Sequence, residues 1–164
     1  MRELNNKYVK GSAFIHRFHG GKARHIKHQI STHLDEEWPD IVVIQCGGND
    51  LPTSRQNPKP ILEIANHIMD IVEVCRTYNV KEIVVCSVLP REQAFLQLRR
   101  KELNDVLRDL CSVQNIHFLD NDRQKEKERN IVLSKHIDGD GVHLNGEGSD
   151  LLRDNIVDLL NTLD

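Results

Sequence analysis

Two short runs of β-branched residues confine this chain to a narrow set of architectures. Asp40-Ile41-Val42-Val43-Ile44-Gln45-Cys46 follows Pro39 and stops at Gly47-Gly48, and Glu82-Ile83-Val84-Val85-Cys86-Ser87-Val88-Leu89 stops at Pro90. Runs that are apolar at nearly every position suit strands of a parallel sheet covered on both faces, because neither side of such a strand can face water. Ile116-His117-Phe118-Leu119 reads as a shorter third strand, and Tyr8-Val9-Lys10-Gly11-Ser12-Ala13-Phe14-Ile15 as a weaker fourth. Helical patterns separate them. Ile61, Leu62, Ile64, Ala65, Ile68, Ile71, Val72 and Cys75 fall on one helical face, and the rhythm returns from Phe95 to Leu110 and from Leu151 to Leu163 behind Asn145-Gly146. Residues 22–34 make a shorter, more polar helix. The order β-α-β-α-β-α-β-α predicts an α/β fold in three layers, a parallel sheet between two layers of helices.

A chain of 164 residues buries about 70% of its unfolded surface in one domain, so 1–164 is read as a single domain. Lys plus Arg number 22 against 25 Asp plus Glu, a net charge of -3, and aromatic residues make up 4%. Neither a phosphate backbone nor stacked bases would find much to bind, and no nucleic-acid partner is expected. No stretch reaches the roughly 18 apolar residues of a membrane span, and Met1 to Asn6 lack the apolar centre of a signal peptide. The expectation is a soluble, intracellular chain with no membrane partner. Cys46, Cys75, Cys86 and Cys111 form no CxxC pair and sit in apolar segments, as buried thiols do. The mixed charges between Asp120 and Asn130 read as a solvated loop, and Trp38, just before Pro39, as packing at a strand start. His16, His19, His25, His28 and His33 read as a polar surface, with His25 and His28 able to share a helix face; neither a metal nor a cofactor is expected.

Ligands of an open parallel sheet bind beyond the carboxyl ends of its strands, and two such places carry chemistry. The first strand runs into Gly47-Gly48-Asn49-Asp50. Paired glycines turn the backbone sharply, and Asn49 then offers a neutral amide donor able to stabilise an oxyanion; the plainer reading is a Gly-Asn turn with an Asp helix cap. The second is Asp138-Gly139-Asp140-Gly141-Val142-His143-Leu144-Asn145, just before the last helix. Three residues apart, Asp140 can hold Nδ1–H of His143 while Nε2 faces a nucleophile, as a general base requires. No further His or Cys lies at zinc-ligand spacing there.

In this order and about ninety residues apart, the two motifs resemble the SGNH (GDSL-like) hydrolase superfamily. The resemblance runs from about Tyr8 to the end of the chain. It implies a flavodoxin-like three-layer α/β/α fold and esterase or lipase-type chemistry on a small ester or acylated substrate. It also implies Asn49 as oxyanion donor beside Gly47 and Gly48, Asp140 and His143 as the acid and base of a triad, and a further backbone donor at Gly20-Gly21, more naturally Gly21.

The family's nucleophile block, Gly-Asp-Ser at the end of an N-terminal strand, has no counterpart here. Met1 to Lys7 read as the tail of the helix that follows it, so the first central strand is expected to be missing. Ser12 follows Gly11 but lies within the weak strand, where it could not project as a nucleophile. Ser54 has no nucleophile turn around it. The expectation is therefore an SGNH-type esterase domain that is inactive or truncated; as a free-standing product it would either borrow a strand from a partner or persist as a non-catalytic relative. The alternative is a non-catalytic ligand-binding or interaction module on the same fold. A nucleotide binder is disfavoured, because no strand is followed by GxGxxG or GxxxxGK[ST].

Overall fold

The structure, a computed structural model, describes residues 12–52, 60–122 and 129–163. Its elements in chain order are α1 (Ala23–Glu37), β1 (Ile41–Ile44), α2 (Ile61–Thr77), β2 (Glu82–Cys86), α3 (Ala94–Val113), β3 (His117–Leu119), α4 (Leu133–His136) and α5 (Gly146–Leu160). The strands form one parallel sheet in the order β1-β2-β3. Ile41 pairs with Glu82 and Ile44 with Val85 on one side of β2, and Val84 with His117 on the other.

The side chains of β2 alternate between two cores. Ile83 and Val85 face α1, α2 and α3, packing with Ile64, Ile68, Val72, Leu103 and Leu107. Val84 and Cys86 face the other way, onto Leu152, Ile156 and Leu160 of α5. Strands buried on both faces explain the unbroken β-branched runs, and the α/β/α layering follows. It is an α/β fold with a three-stranded parallel sheet among the described residues.

Three expectations need correction. The strand read at 8–15 falls partly outside the described residues, and Ser12 to Phe18 carry no strand. The sheet therefore has three strands among the described residues, and β2 is the one described strand beside β1. Trp38 does not pack at a strand start: it is 77% exposed. It ends α1 in the left-handed region, at φ 47°, with its N–H on the Leu34 carbonyl, and that closure directs the indole outward. Finally, the short α4 lies where no helix is expected, because one turn is too short to show a period. The four cysteines are free and three are buried, with no disulfide. Most of the charged run, 123–128, lies outside the described residues.

Candidate active site

Beyond β1 the chain turns at Gly47-Gly48, closed by the Asp50 N–H on the Gly47 carbonyl at 3.1 Å. Buried Asp50 accepts the N–H of Ala23, the first residue of α1, through Oδ2 at 3.0 Å. The loop is thus tied to a helix start by a side chain that satisfies one of the helix's orphan donors. Asn49, next to it, is exposed and gives one amide N–H to the Gly21 carbonyl at 3.2 Å. Gly20-Gly21 and Gly48-Asn49 therefore meet. The N–H of Gly21, however, donates to the Phe18 carbonyl at 2.8 Å in a tight turn with Gly20 at φ 64°. That group is engaged within its own turn.

The second loop is closed by its own hydrogen bonds. Ile137 and Leu144 form an antiparallel bridge, and inside it the Asp138 N–H bonds the His143 carbonyl at 2.8 Å. Asp140 Oδ1 accepts the backbone N–H groups of Val142 (2.8 Å) and His143 (2.9 Å), and Oδ2 lies 2.5 Å from His143 Nδ1. The His143 contact, then these two amides, hold the Asp140 carboxyl well below the usual carboxylate range. Ionised, it can only accept, so Nδ1 of His143 carries the hydrogen of this contact and Nε2 is the ring nitrogen left for other partners. The His143 side chain is 78% exposed, and its Nε2 has no hydrogen-bond partner among the described residues. Gly141 makes the loop geometry available: its φ is 69°, and a Cβ there would come within 2.4 Å of Glu92 Oε2.

One residue that the sequence reading did not single out joins the two loops. Arg91, just past the end of β2, donates from Nη1 to the Val142 carbonyl at 2.7 Å. Its Nη2 lies so close to Gly48 that a Cβ there would be 2.0 Å away. Beside it the Glu92 N–H bonds the Gly141 carbonyl at 3.0 Å. Behind it Gln97 Oε1 accepts both the Arg91 N–H and Arg100 Nε, each at 3.0 Å. Buried Arg100 in turn reaches the Val88 carbonyl at 2.9 Å and Asp122 at 2.6 Å. Burial, and after it Arg100, lower the Arg91 guanidinium from its ordinary value, while Asp140 pulls the other way. The clue in sequence was slight: a cation directly after the proline that ends a strand.

Nucleophiles are scarce around this rim. Ser12 is exposed in a segment without strand, and Ser54 lies outside the described residues. Ser87 is buried and its hydroxyl accepts the Asn121 N–H at 3.0 Å. Ser112, Ser134 and Ser149 belong to α3, α4 and α5. Burial pushes the thiols of Cys75 and Cys111 up to about 11 and that of Cys86 up to about 12, so none supplies a thiolate at neutral pH.

The model of the GDSL-like lipase/acylhydrolase family matches residues 7–151. None of the curated proteins matches the chain. Among solved structures, a GDSL-like lipase from Bacteroides thetaiotaomicron superposes with a TM-score of 0.72 at 19% identity, over 88% of this chain and 73% of that one. A carbohydrate esterase of family 3 from Talaromyces cellulolyticus gives 0.71 at 20% identity, over 88% and 68%. A catalytic mutant of an acetylxylan esterase from Geobacillus stearothermophilus gives 0.68 at 18% identity, over 86% and 68%.

Proposed function

Because the chain belongs to the GDSL-like lipase/acylhydrolase family, we propose that the rim around Asn49, Asp140 and His143 is an ester site of acyl-transfer type. The observation that carries this reading is the Asp140 Oδ2 to His143 Nδ1 contact of 2.5 Å, on a loop that Arg91 ties to Gly48. In such a site Nε2 takes the proton of the attacking group, Asp140 steadies the imidazolium that forms, and an amide N–H of Asn49 meets the oxygen that becomes negative. Asn49 has two N–H groups, and the Gly21 carbonyl takes one of them. Gly20, Gly21, Gly47 and Gly48 shape the wall beside it. With the Gly21 N–H turned inward, Asn49 carries the oxyanion role.

Among the described residues no nucleophile stands beside His143. The sequence has no Gly-Asp-Ser segment, and no described serine hydrogen-bonds His143. We therefore assign the chain as given an ester-binding rim with turnover at background level. A strand bearing a serine, contributed by a partner and added beside β1, would complete the triad. The exposed, unpartnered Nε2 of His143 favours a second reading, a module that holds an acyl or acetyl group without cleaving it. Acetyl-sized groups are the ligand class chosen for the test, since two of the superposed structures are carbohydrate or acetylxylan esterases.

Hydrolysis of p-nitrophenyl acetate by the wild type and by His143→Ala, together with an NMR titration with acetate, tests this. The expected result is equal, background hydrolysis, with the Asn49 side-chain amide and the His143 ring shifting along one binding curve. Turnover that disappears in His143→Ala overturns the inactive assignment. Acetate that moves neither signal overturns the shared acyl site.

A further inference from the structure

We propose that His16, His33 and Glu37 form a site for a divalent transition metal of the zinc type, which clasps the segment 12–18 onto α1. His33 and Glu37 are four residues apart on α1 and therefore side by side on one face. His16 arrives from the preceding segment, which the turn at Gly20-Gly21 leads back into the helix. Its Nε2 lies 2.8 Å from Glu37 Oε1. The rings of His16 and His33 stack with centroids 3.6 Å apart and planes 24° from parallel. Phe18 meets the His33 ring edge-on at 6.0 Å, which limits its rotation.

One ligand atom from each of the three residues lies within 4.8 Å of the other two. In a tetrahedral zinc site with bonds of about 2.0–2.2 Å, ligand atoms stand roughly 3.3 Å apart. Closing to that spacing calls for side-chain rotation at the three residues, with the His16 and His33 rings leaving their stack. Two imidazoles and one carboxylate are a sufficient protein donor set, with a fourth position left for water. The Glu37 side chain is only 17% exposed, and among the described residues no Lys or Arg pairs with it. A divalent cation would balance this carboxylate where no Lys or Arg does. From sequence these histidines read as polar surface, because the meeting of His16 with α1 depends on the chain reversing at residue 20.

The position suggests a purpose. Residues 12–18 lead straight to the Gly21 carbonyl that receives Asn49. A metal at His16 would fix the far end of the segment whose near end is held by that contact.

Trp38 is the sole tryptophan and is adjacent to Glu37, which provides a local probe. Calorimetric titration with Zn2+ measures affinity and stoichiometry, and Co2+ titration followed by Trp38 emission reports where the metal sits. The expected result is one Zn2+ per chain, a raised melting temperature, and quenching by Co2+ that excess Zn2+ reverses. His33→Ala and, independently, Glu37→Gln should each weaken Zn2+ at least tenfold, while His25→Ala leaves it unchanged. Absence of Zn2+ binding to the wild type overturns the proposal. So does binding equally tight in His33→Ala and Glu37→Gln, since that would place the metal on other histidines.

Discussion

Arg91 has the most to do with whether the site is one site. Its Nη1 holds the Val142 carbonyl from 51 residues away, and its Nη2 rests on Gly48. Without it, the loop bearing Asp140 and His143 is fastened to this side, among the described residues, by the Glu92 N–H to the Gly141 carbonyl. A hydrogen bond to a charged group contributes about 1.5–3 kcal/mol, so Arg91→Ala should speed hydrogen exchange of the Glu92 amide by about tenfold or more. Arg91→Lys should rescue little of this, because an ammonium cannot span both contacts as the planar guanidinium does. Unchanged Glu92 protection in Arg91→Ala would mean that the guanidinium merely lies on the surface. Asn49, Asp140 and His143 were picked out as candidates because each belongs to a local pattern, a strand end or an Asp-x-x-His turn, and the structure brings Asp140 and His143 into contact. Arg91 was not, since everything it does is defined by partners remote in the chain. The Gly21 N–H bonds the Phe18 carbonyl, and whether a turn closes on its own N–H depends on backbone angles that the residues Gly-Gly leave open.

Elements were legible in proportion to their length. α2 and α3 each show more than four turns of apolar period, and β1 and β2 follow from β-branched runs ended by Gly or Pro. The structure shortens both strands, because the ladder stops where the backbone bends away toward the site. α4 is a single turn and left no period to read, yet it is firmly joined to α5. Asn145 caps α5 by accepting the Gly148 N–H at 2.9 Å, while its own N–H and side-chain amide bond the carbonyls of His136 (3.0 Å) and Lys135 (2.9 Å). Gly148 is where the two helices come closest: a Cβ there would lie 2.3 Å from the His136 carbonyl oxygen and 2.9 Å from the His136 Cβ. Replacing it with alanine sets two effects against each other. Helix propensity gains about 1 kcal/mol, and overpacking against a backbone oxygen costs about 1–3 kcal/mol. The neighbour is backbone held by a cap and cannot swing aside, so overpacking wins. Urea denaturation of Gly148→Ala should show a net loss of stability, and a gain would mean that α4 yields freely.

At the scale of the whole molecule, the sheet couples two cores of unequal size. The larger, beneath α1, α2 and α3, and the smaller, beneath α5, share β2, whose residues enter them alternately. The two cores are coupled through one strand, because losing α5 uncovers Val84 and Cys86 on the strand that also carries Ile83 and Val85. The loop of Asp140 and His143 leads into α5, so the site depends on the smaller core although Asn49 follows a strand that also packs on the larger. Leu152 is fully buried in the smaller core, and truncating such a side chain costs about 2–5 kcal/mol. Leu152→Ala should therefore lower stability by that amount in a single transition. Far-UV circular dichroism, which reports mainly the helices, and hydrogen exchange of α2 amides, which lie on the opposite face, should give the same loss. If the α2 amides kept their wild-type protection while the helical signal fell in two steps, α5 would be an independent unit. The site would then open by local release of that helix rather than only with global unfolding.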